Sequence, residues 1–276
     1  MKKITALHLR YPWFLDYAGM MLAHNGKTAI LVDTALEGAV GTTIEPALRQ
    51  AGLGWNDLKW VVNTHSHFDH IGCNAAIKQR SAARFAVHEA GAEELRKCGT
   101  PPDLLLAEGT RIGDDELSLI AIHTPGHSAD SVSFLEPETG TLFAGDAIEG
   151  RGTAGGGLAL FQDPEAYCAS IRKLLVLHRN GAFTRLLFSH PFLPSDGEVS
   201  GGMIAPFLQG CLDTVAEYQT ALADALKINP ELSAENAREL LLARCGTSLF
   251  PGAADLSLGI ARMMLNFSRS APNRED

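Results

Sequence analysis

Apolar and polar positions alternate between strand and helix rhythm up to about residue 200 and keep a helical rhythm beyond it. Residues 4–10 and 18–24 read as strands, and the Asn25-Gly26 pair between the second of these and TAILVD marks a tight hairpin turn. The first two strands are joined by YPWFLDY, an aromatic loop that either plugs the core or forms the lip of a pocket. Residues 43–51 form a helix stopped by Gly52 and Gly54. LKWVVNT is then a buried strand that runs straight into the polar cluster at residues 65–70.

Helix and strand keep alternating: AAIKQR as helix, ARFAVHE as strand, EAGAEELRK as helix, then ELSLIAIHT, SVSFLEP and TLFAGD as strands. After a Gly-rich stretch, Asp163 caps a helix that carries Pro164 in its first turn. RLLFSH is the last strand. Beyond it, residues 203–227, 233–244 and 255–270 all show apolar spacings near 3.6. The pattern therefore predicts an α/β domain over residues 1–200 and an all-helical extension over 201–276, with PFLPSDGEVSGG as the boundary and no internal repeat.

Composition narrows the functional classes. Of the 276 residues 46% are hydrophobic and 20% charged, an ordinary globular balance that opposes disorder. No apolar run reaches the roughly 20 residues of a membrane span. The N-terminus lacks the apolar core and cleavage site of a signal peptide, so the cytoplasm is the expected location. A net charge of −9 with no basic stripe argues against nucleic acid and against anionic membranes as partners. Five scattered cysteines without a CxxC pair read as reduced thiols.

The sharpest chemical signal is H-x-H-x-D-H at His65, His67, Asp69 and His70. In extended backbone, side chains two apart face the same way, so the first three can enter one cavity. His70 breaks that alternation and suits the start of a helix, where it can face a second ion about 3.5–4 Å from the first. Imidazole and carboxylate suit Zn²⁺, Fe or Mn, and the absence of a nearby cysteine disfavours a structural zinc site. Three more candidates stand where strands end: His127 in TPGHSADS, Asp146 in LFAGDA and His190 in LLFSHP.

This order of motifs, with Gly-His, Gly-Asp and a late histidine following the first cluster, resembles the metallo-β-lactamase-fold hydrolases over about residues 4–195. Within that superfamily the run GHSADSVSF…LFAGDAIEG, the Gly loop and the helical tail are most similar to the glyoxalase II, lactonase and quinolone-signal response thioesterase branches. The resemblance implies an αββα sandwich with a dinuclear site holding two divalent ions, Zn first and Fe or Mn as alternatives. His65, His67 and His127 would surround one ion, Asp69, His70 and His190 the other, with Asp146 between them. A water activated at the two ions would attack the carbonyl of an ester, thioester or lactone, and Asp69 would carry the proton. One departure stands out: the last ligand sits in Ser-His-Pro, where relatives often have Gly-His-Gly or Gly-His-Glu.

Competing readings are a signal-binding regulator with a slow or vestigial metal site, and a mono-iron persulfide dioxygenase that would leave Asp69, His70 and His190 idle. A β-lactamase proper is opposed by the missing export signal, a nuclease by the acidic balance. A glutathione thioesterase lacks a basic cluster in the tail. Asp33 either orients a ligand imidazole or merely caps a strand. His123 is expected as a buried, hydrogen-bonded histidine, and Cys73 as a small core residue. His8, His24, His88 and His178 are expected to be structural or exposed. Trp13, Phe14 and Tyr17 either line an acyl pocket or pack in the core. Residues 150–157 read as a flexible border, since they lack the lysine of a phosphate cradle. The tail either covers the cavity or forms a homodimer contact.

Overall fold

Every residue of Tyr17–His24 and Ala29–Val32 is buried, so these strands need apolar cover on both faces. The computed structural model, which describes residues 1–11, 16–152, 157–246 and 254–270, supplies a second sheet on one face and helices on the other. The first sheet holds β1 (Lys3–Arg10), β2 (Tyr17–His24), β3 (Ala29–Val32), β4 (Leu58–Val62), β5 (Arg84–His88) and β6 (Leu104–Leu106) in chain order. Its first three strands are antiparallel and the pairs from β3 to β6 are parallel. The second sheet runs β7 (Arg111–Gly113), β8 (Ser118–His123), β9 (Val132–Glu136), β10 (Thr141–Phe143), β11 (Arg185–Leu187) and β12 (Glu198–Ser200), with only β10 and β11 parallel.

The period of two along each strand sorts side chains into layers. Met21, Ile30, Val32 and Val62 meet Leu119, Phe134, Phe143 and Leu187 between the sheets. Their neighbours Met20, Leu22, Leu31 and Val61 point outward to Leu48 and Ile77 on α1 (Glu45–Gln50) and α3 (Asn74–Lys78). The short α2 (Phe68–Ile71) and α4 (Ala92–Lys97) meet through Ile71, Ala92 and Leu95. On the opposite outer face Ile122, Leu135, Leu142 and Leu186 pack under α5 (Pro164–Arg179). The result is the αββα sandwich expected from the chain.

Local signals account for the element ends. Asn25 Oδ1 accepts from the backbone of Lys27 and Thr28, closing the β2–β3 hairpin. Asp163 caps α5 by accepting from the N–H groups of Glu165 and Ala166. Three strands escape the sequence reading, β6, β7 and β12. The last lies inside the stretch read as a boundary. It pairs with β11 and is clamped by Arg185, whose guanidinium donates twice to the Glu198 carboxylate at 2.8 Å.

After β12 come α6 (Ile204–Ile228), α7 (Ala234–Cys245) and α8 (Ala254–Ser270). Leu208, Tyr218, Leu241 and Met264 join the same apolar cluster as Tyr167, Ile171 and Leu174 of α5. Among the described residues no helix is long and apolar enough to cross a membrane. All five cysteines are free, and Cys73 is buried with its thiol donating to the Leu36 carbonyl. His123 departs from expectation: it is only half-buried and lies flat on His88, ring centroids 4.2 Å apart, although its Nε2 does hydrogen-bond the Ala129 carbonyl.

Deleting residues 201–276 would bare the apolar outer face of α5. The truncated chain is expected to bind a hydrophobic dye and lose cooperative thermal unfolding. A soluble truncate that melts cooperatively would show the helices to be dispensable for the sandwich.

Candidate metal centre

The loops at one edge of the sandwich are shaped by a single carboxylate. Asp33, just past β3, adopts φ of 60° and is fully buried. Its Oδ1 accepts from the Thr64 backbone at 2.8 Å, and its Oδ2 accepts from the Thr64 hydroxyl at 2.7 Å and from His70 Nδ1 at 2.8 Å. Because the Thr64 proton goes to Asp33, the hydroxyl oxygen is left to accept from His65 Nδ1 at 3.1 Å. Thus Asp33 fixes the tautomers of two imidazoles, one directly and one through a hydroxyl. Behind them Asn63 donates to the His70 carbonyl, and Asn74 donates to Asn63. That buried amide network holds α2 against the end of β4.

Of the other three histidines at the centre, two are pinned in the same way by backbone carbonyls. His127 Nδ1 donates to Leu160 at 2.6 Å, and His190 Nδ1 donates to Tyr17 at 2.6 Å. Four imidazoles therefore present Nε2 to the centre, while His67 presents Nδ1. Two glycines permit the approach. A Cβ on Gly126, at φ of +141°, would lie 2.4 Å from the Tyr167 backbone, and one on Gly145, at +57°, would lie 2.7 Å from the Thr64 side chain. These residues precede His127 and Asp146 in the chain.

All seven sequence-predicted residues converge. His65 Nε2 and His127 Nε2 lie 2.9 and 3.0 Å from His67 Nδ1. In a second group Asp69 Oδ2 lies 3.4 Å from His190 Nε2, and Asp69 Oδ1 lies 3.9 Å from His70 Nε2. Asp146 Oδ2 stands between the groups, 3.3 Å from His190 Nε2, 3.4 Å from His70 Nε2 and 3.8 Å from His127 Nε2. Tetrahedral ligands at Zn–N lengths of 2.0–2.1 Å would be about 3.3 Å apart, which these separations bracket. His70 Nε2, His190 Nε2 and Asp146 Oδ1 are buried with no hydrogen-bond partner among the described residues. Buried polar atoms left so exposed to desolvation call for an ion or water, and the donor set fits a divalent cation.

Electrostatics separate the two groups. Burial, reinforced by the neighbouring imidazoles, drives His65 well below its usual pKa and His67 down to about 4, so both offer lone pairs at neutral pH. In the second group burial works against charge but loses to the carboxylates. Asp146, Asp69 and Asp33 hold His70 well up, and Asp146 and Asp69 lift His190 to about 10. Reciprocally, burial would raise Asp69, yet His70 and His190 bring it down to about 2.

Glu149 was missed in the sequence. It is fully buried, with Oε1 3.0 Å from His127 Nδ1 and Oε2 accepting from the Leu160 backbone. Burial lifts it to about 7, against the opposing pull of His127. A glutamate three residues after Asp146 in an otherwise small and apolar run was the available signal. Tyr11 is the part of the aromatic loop that senses the centre: burial raises its phenol, and the Asp69 and Asp146 charges raise it further. Tyr17 is buried against His8 and serves the core. Trp13 and Phe14, and residues 153–156 of the Gly-rich stretch, lie outside the described residues.

Comparison with known proteins agrees with this geometry. The sequence profile of the metallo-beta-lactamase superfamily matches residues 18–188. The chain is 36% identical over 152 residues to the uncharacterized protein YobT of Bacillus subtilis (strain 168), covering 48% of this chain and 62% of that one. It is 32% identical over 158 residues to a hydroxyacylglutathione hydrolase of Cereibacter sphaeroides (strain ATCC 17025), covering 56% and 55%. The matches thus span little more than half the length of these relatives. Among solved structures, a metallo-beta-lactamase family protein of Thermus thermophilus superposes with a TM-score of 0.71 at 21% identity, over 96% of this chain and 93% of that one.

Asp33→Asn keeps the size and tolerates the positive φ, but places an amide donor against the Thr64 hydroxyl or His70 Nδ1. Zn²⁺ affinity, read by competition with a chromophoric chelator, is expected to fall about 10–100-fold with the fold intact. Unchanged affinity would show that Asp33 only caps its strand.

Proposed function

The chain belongs to the metallo-beta-lactamase superfamily, and on that premise we propose that it is a dinuclear metal-dependent hydrolase of ester, thioester or lactone bonds. The observation that carries this reading is Asp146 Oδ2, placed within 3.8 Å of imidazole nitrogens from both ligand groups. In this assignment His65, His67 and His127 would hold one divalent ion and Asp69, His70 and His190 the other, with Asp146 available to both. Such a pair supplies Lewis acidity toward a carbonyl oxygen and lowers the pKa of a water to about 7. Imidazole and carboxylate favour Zn²⁺, with Fe or Mn as alternatives.

The protein's own groups then have defined tasks. Asp69 is held as a carboxylate at the edge of the second group and can take the proton lost by the attacking water, passing it to the leaving alcohol or thiol. The Nδ1 hydrogen bonds to Asp33, Thr64, Leu160 and Tyr17 keep the ligand nitrogens aimed without rearrangement. The Cys73 thiol is engaged by the Leu36 carbonyl, which leaves it no nucleophilic task. The helical extension braces one wall: Tyr218 accepts from the Ala159 backbone, and Glu217 pairs with Arg151 at 2.8 Å. A relative named for hydrolysing acylglutathione supports an acyl substrate.

Purified protein is expected to hold near two transition-metal ions per chain and to turn over members of a panel of p-nitrophenyl esters, acyl thioesters and lactones. Asp69→Asn should lower kcat/KM by about 10²-fold or more. A fully loaded protein inert to the whole panel would favour the regulator, and one iron per chain with dioxygen consumption would favour the dioxygenase.

Metal loading should also release protons. Without a cation, the raised His70 and His190 carry protons at pH 7, and a cation must displace them. Calorimetric titration of chelator-stripped protein in buffers of different ionisation enthalpy should report about two protons released, with affinity falling as pH drops. Heats independent of the buffer would contradict the ligand assignment.

A further inference from the structure

His127 is held by groups that lead back to the helical extension. Its Nδ1 donates to the Leu160 carbonyl at 2.6 Å, and Glu149 Oε1 stands 3.0 Å from the same nitrogen, with no hydrogen-bond partner of its own among the described residues. Both acceptors belong to one unit, because Glu149 Oε2 accepts from the Leu160 backbone at 3.2 Å. Residues 157–161 lie in no strand or helix, so no ladder of backbone bonds fixes the Leu160 carbonyl.

Side chains hold this strap instead. The Tyr218 hydroxyl of α6 accepts from the Ala159 N–H at 3.1 Å, one residue before the carbonyl that His127 uses. On α5 the Tyr167 hydroxyl accepts from the Glu149 N–H at 2.9 Å. The Phe161 ring stacks on both tyrosines, its centroid 4.9 Å from that of Tyr167 and 6.3 Å from that of Tyr218. Ala159, Phe161, Tyr167 and Tyr218 are at most 1% exposed, so water does not stand in for a lost partner. The second ligand group is held from elsewhere: His70 Nδ1 by Asp33 and His190 Nδ1 by the Tyr17 carbonyl, both at the first sheet.

We propose that Tyr218 is a positioning residue for the metal centre: through the Ala159–Leu160 strap and Glu149 it holds His127, so the helical extension governs how tightly the first group keeps its ion and leaves the second group's ion alone. The inference rests on the two-ion assignment of the hydrolase reading above. Tyr218→Phe keeps the ring but leaves a buried N–H without an acceptor, and a strap that moves to satisfy it carries the Leu160 carbonyl away from His127. Glu149→Gln cuts the link at its other end. Its amide nitrogen must face either the Leu160 N–H or His127 Nδ1, and both of these are donors.

The test reads metal affinity, which needs no turnover. Chelator-stripped full-length protein is titrated with Zn²⁺ against a chromophoric chelator, and the binding step lost in His67→Ala identifies the first group. Tyr218→Phe and Glu149→Gln are expected to weaken that step about 10–100-fold and to leave the other within about twofold. Leu222→Ala, about one turn further along α6 and buried in the same apolar cluster, should lower the melting temperature and leave both steps in place. Equal weakening of both steps, weakening shared by Leu222→Ala, or a first step unmoved by Tyr218→Phe would overturn the proposal. The expected pattern in a protein inert to every ester, thioester and lactone would sustain it and sink the hydrolase reading. Turnover by a protein whose steps ignore Tyr218→Phe would do the reverse, and a wild type with no step sensitive to His67→Ala would remove both.

Discussion

The candidate centre depends on where one buried carboxylate sends its two oxygens. Asp33 receives the Thr64 backbone and hydroxyl together with His70 Nδ1, and through that hydroxyl it also sets His65. An imidazole can aim a lone pair at a cation only if its other nitrogen gives its proton elsewhere. Asp33 settles this for one histidine in each ligand group, and the Leu160 and Tyr17 carbonyls settle it for two more. The left-handed conformation at Asp33 is unusual for a residue with a side chain. It persists because the surrounding bonds leave the carboxylate no other place.

The sandwich brings the remaining groups to this point. Layers sorted by strand alternation stack both sheets with their loops at a common edge, so ends far apart in the chain become neighbours. Close approach then requires missing side chains, which explains glycine at 126 and 145, where a Cβ would strike Tyr167 or Thr64. Burial raises the cost of leaving the carboxylates and imidazoles unmatched. The second group meets that cost by ion pairing among Asp69, Asp146, His70 and His190, whereas in the first group burial holds His65 and His67 uncharged and Glu149 and Asp146 push His127 up against its burial.

The surroundings of the centre are asymmetric. On the side of the second sheet, α6 packs on α5 and ties residues 151 and 159 through Glu217 and Tyr218, so Glu149 and Leu160 sit on a supported wall behind His127. On the other side, the short helices α2 and α4 contribute only a small apolar cluster of Ile71, Ala92 and Leu95 with Val87 of β5.

Much of this was legible in the chain. The Asn25-Gly26 turn, the Asp163 cap and the near-3.6 spacing after residue 200 are local signals whose physics operates within a few residues, and the structure follows each of them. The H-x-H-x-D-H cluster and the polar residues at strand ends disclosed the candidate ligands because their spacing or position carries the chemistry. Other features had no local trace. β6, β7 and β12 are strands only because a neighbouring strand offers hydrogen bonds. His123 looked buried from its apolar neighbours, yet its half-open stack on His88 depends on where β5 ends. The role of Glu149 and the two-way hold of Asp33 arise from contacts across 22 to 37 positions of chain, which only the packed layers create. Sequence determined which groups could bind and where the longer, locally signalled elements lie. Tertiary structure decided which nitrogen each imidazole presents, because that choice belongs to partners brought together by folding.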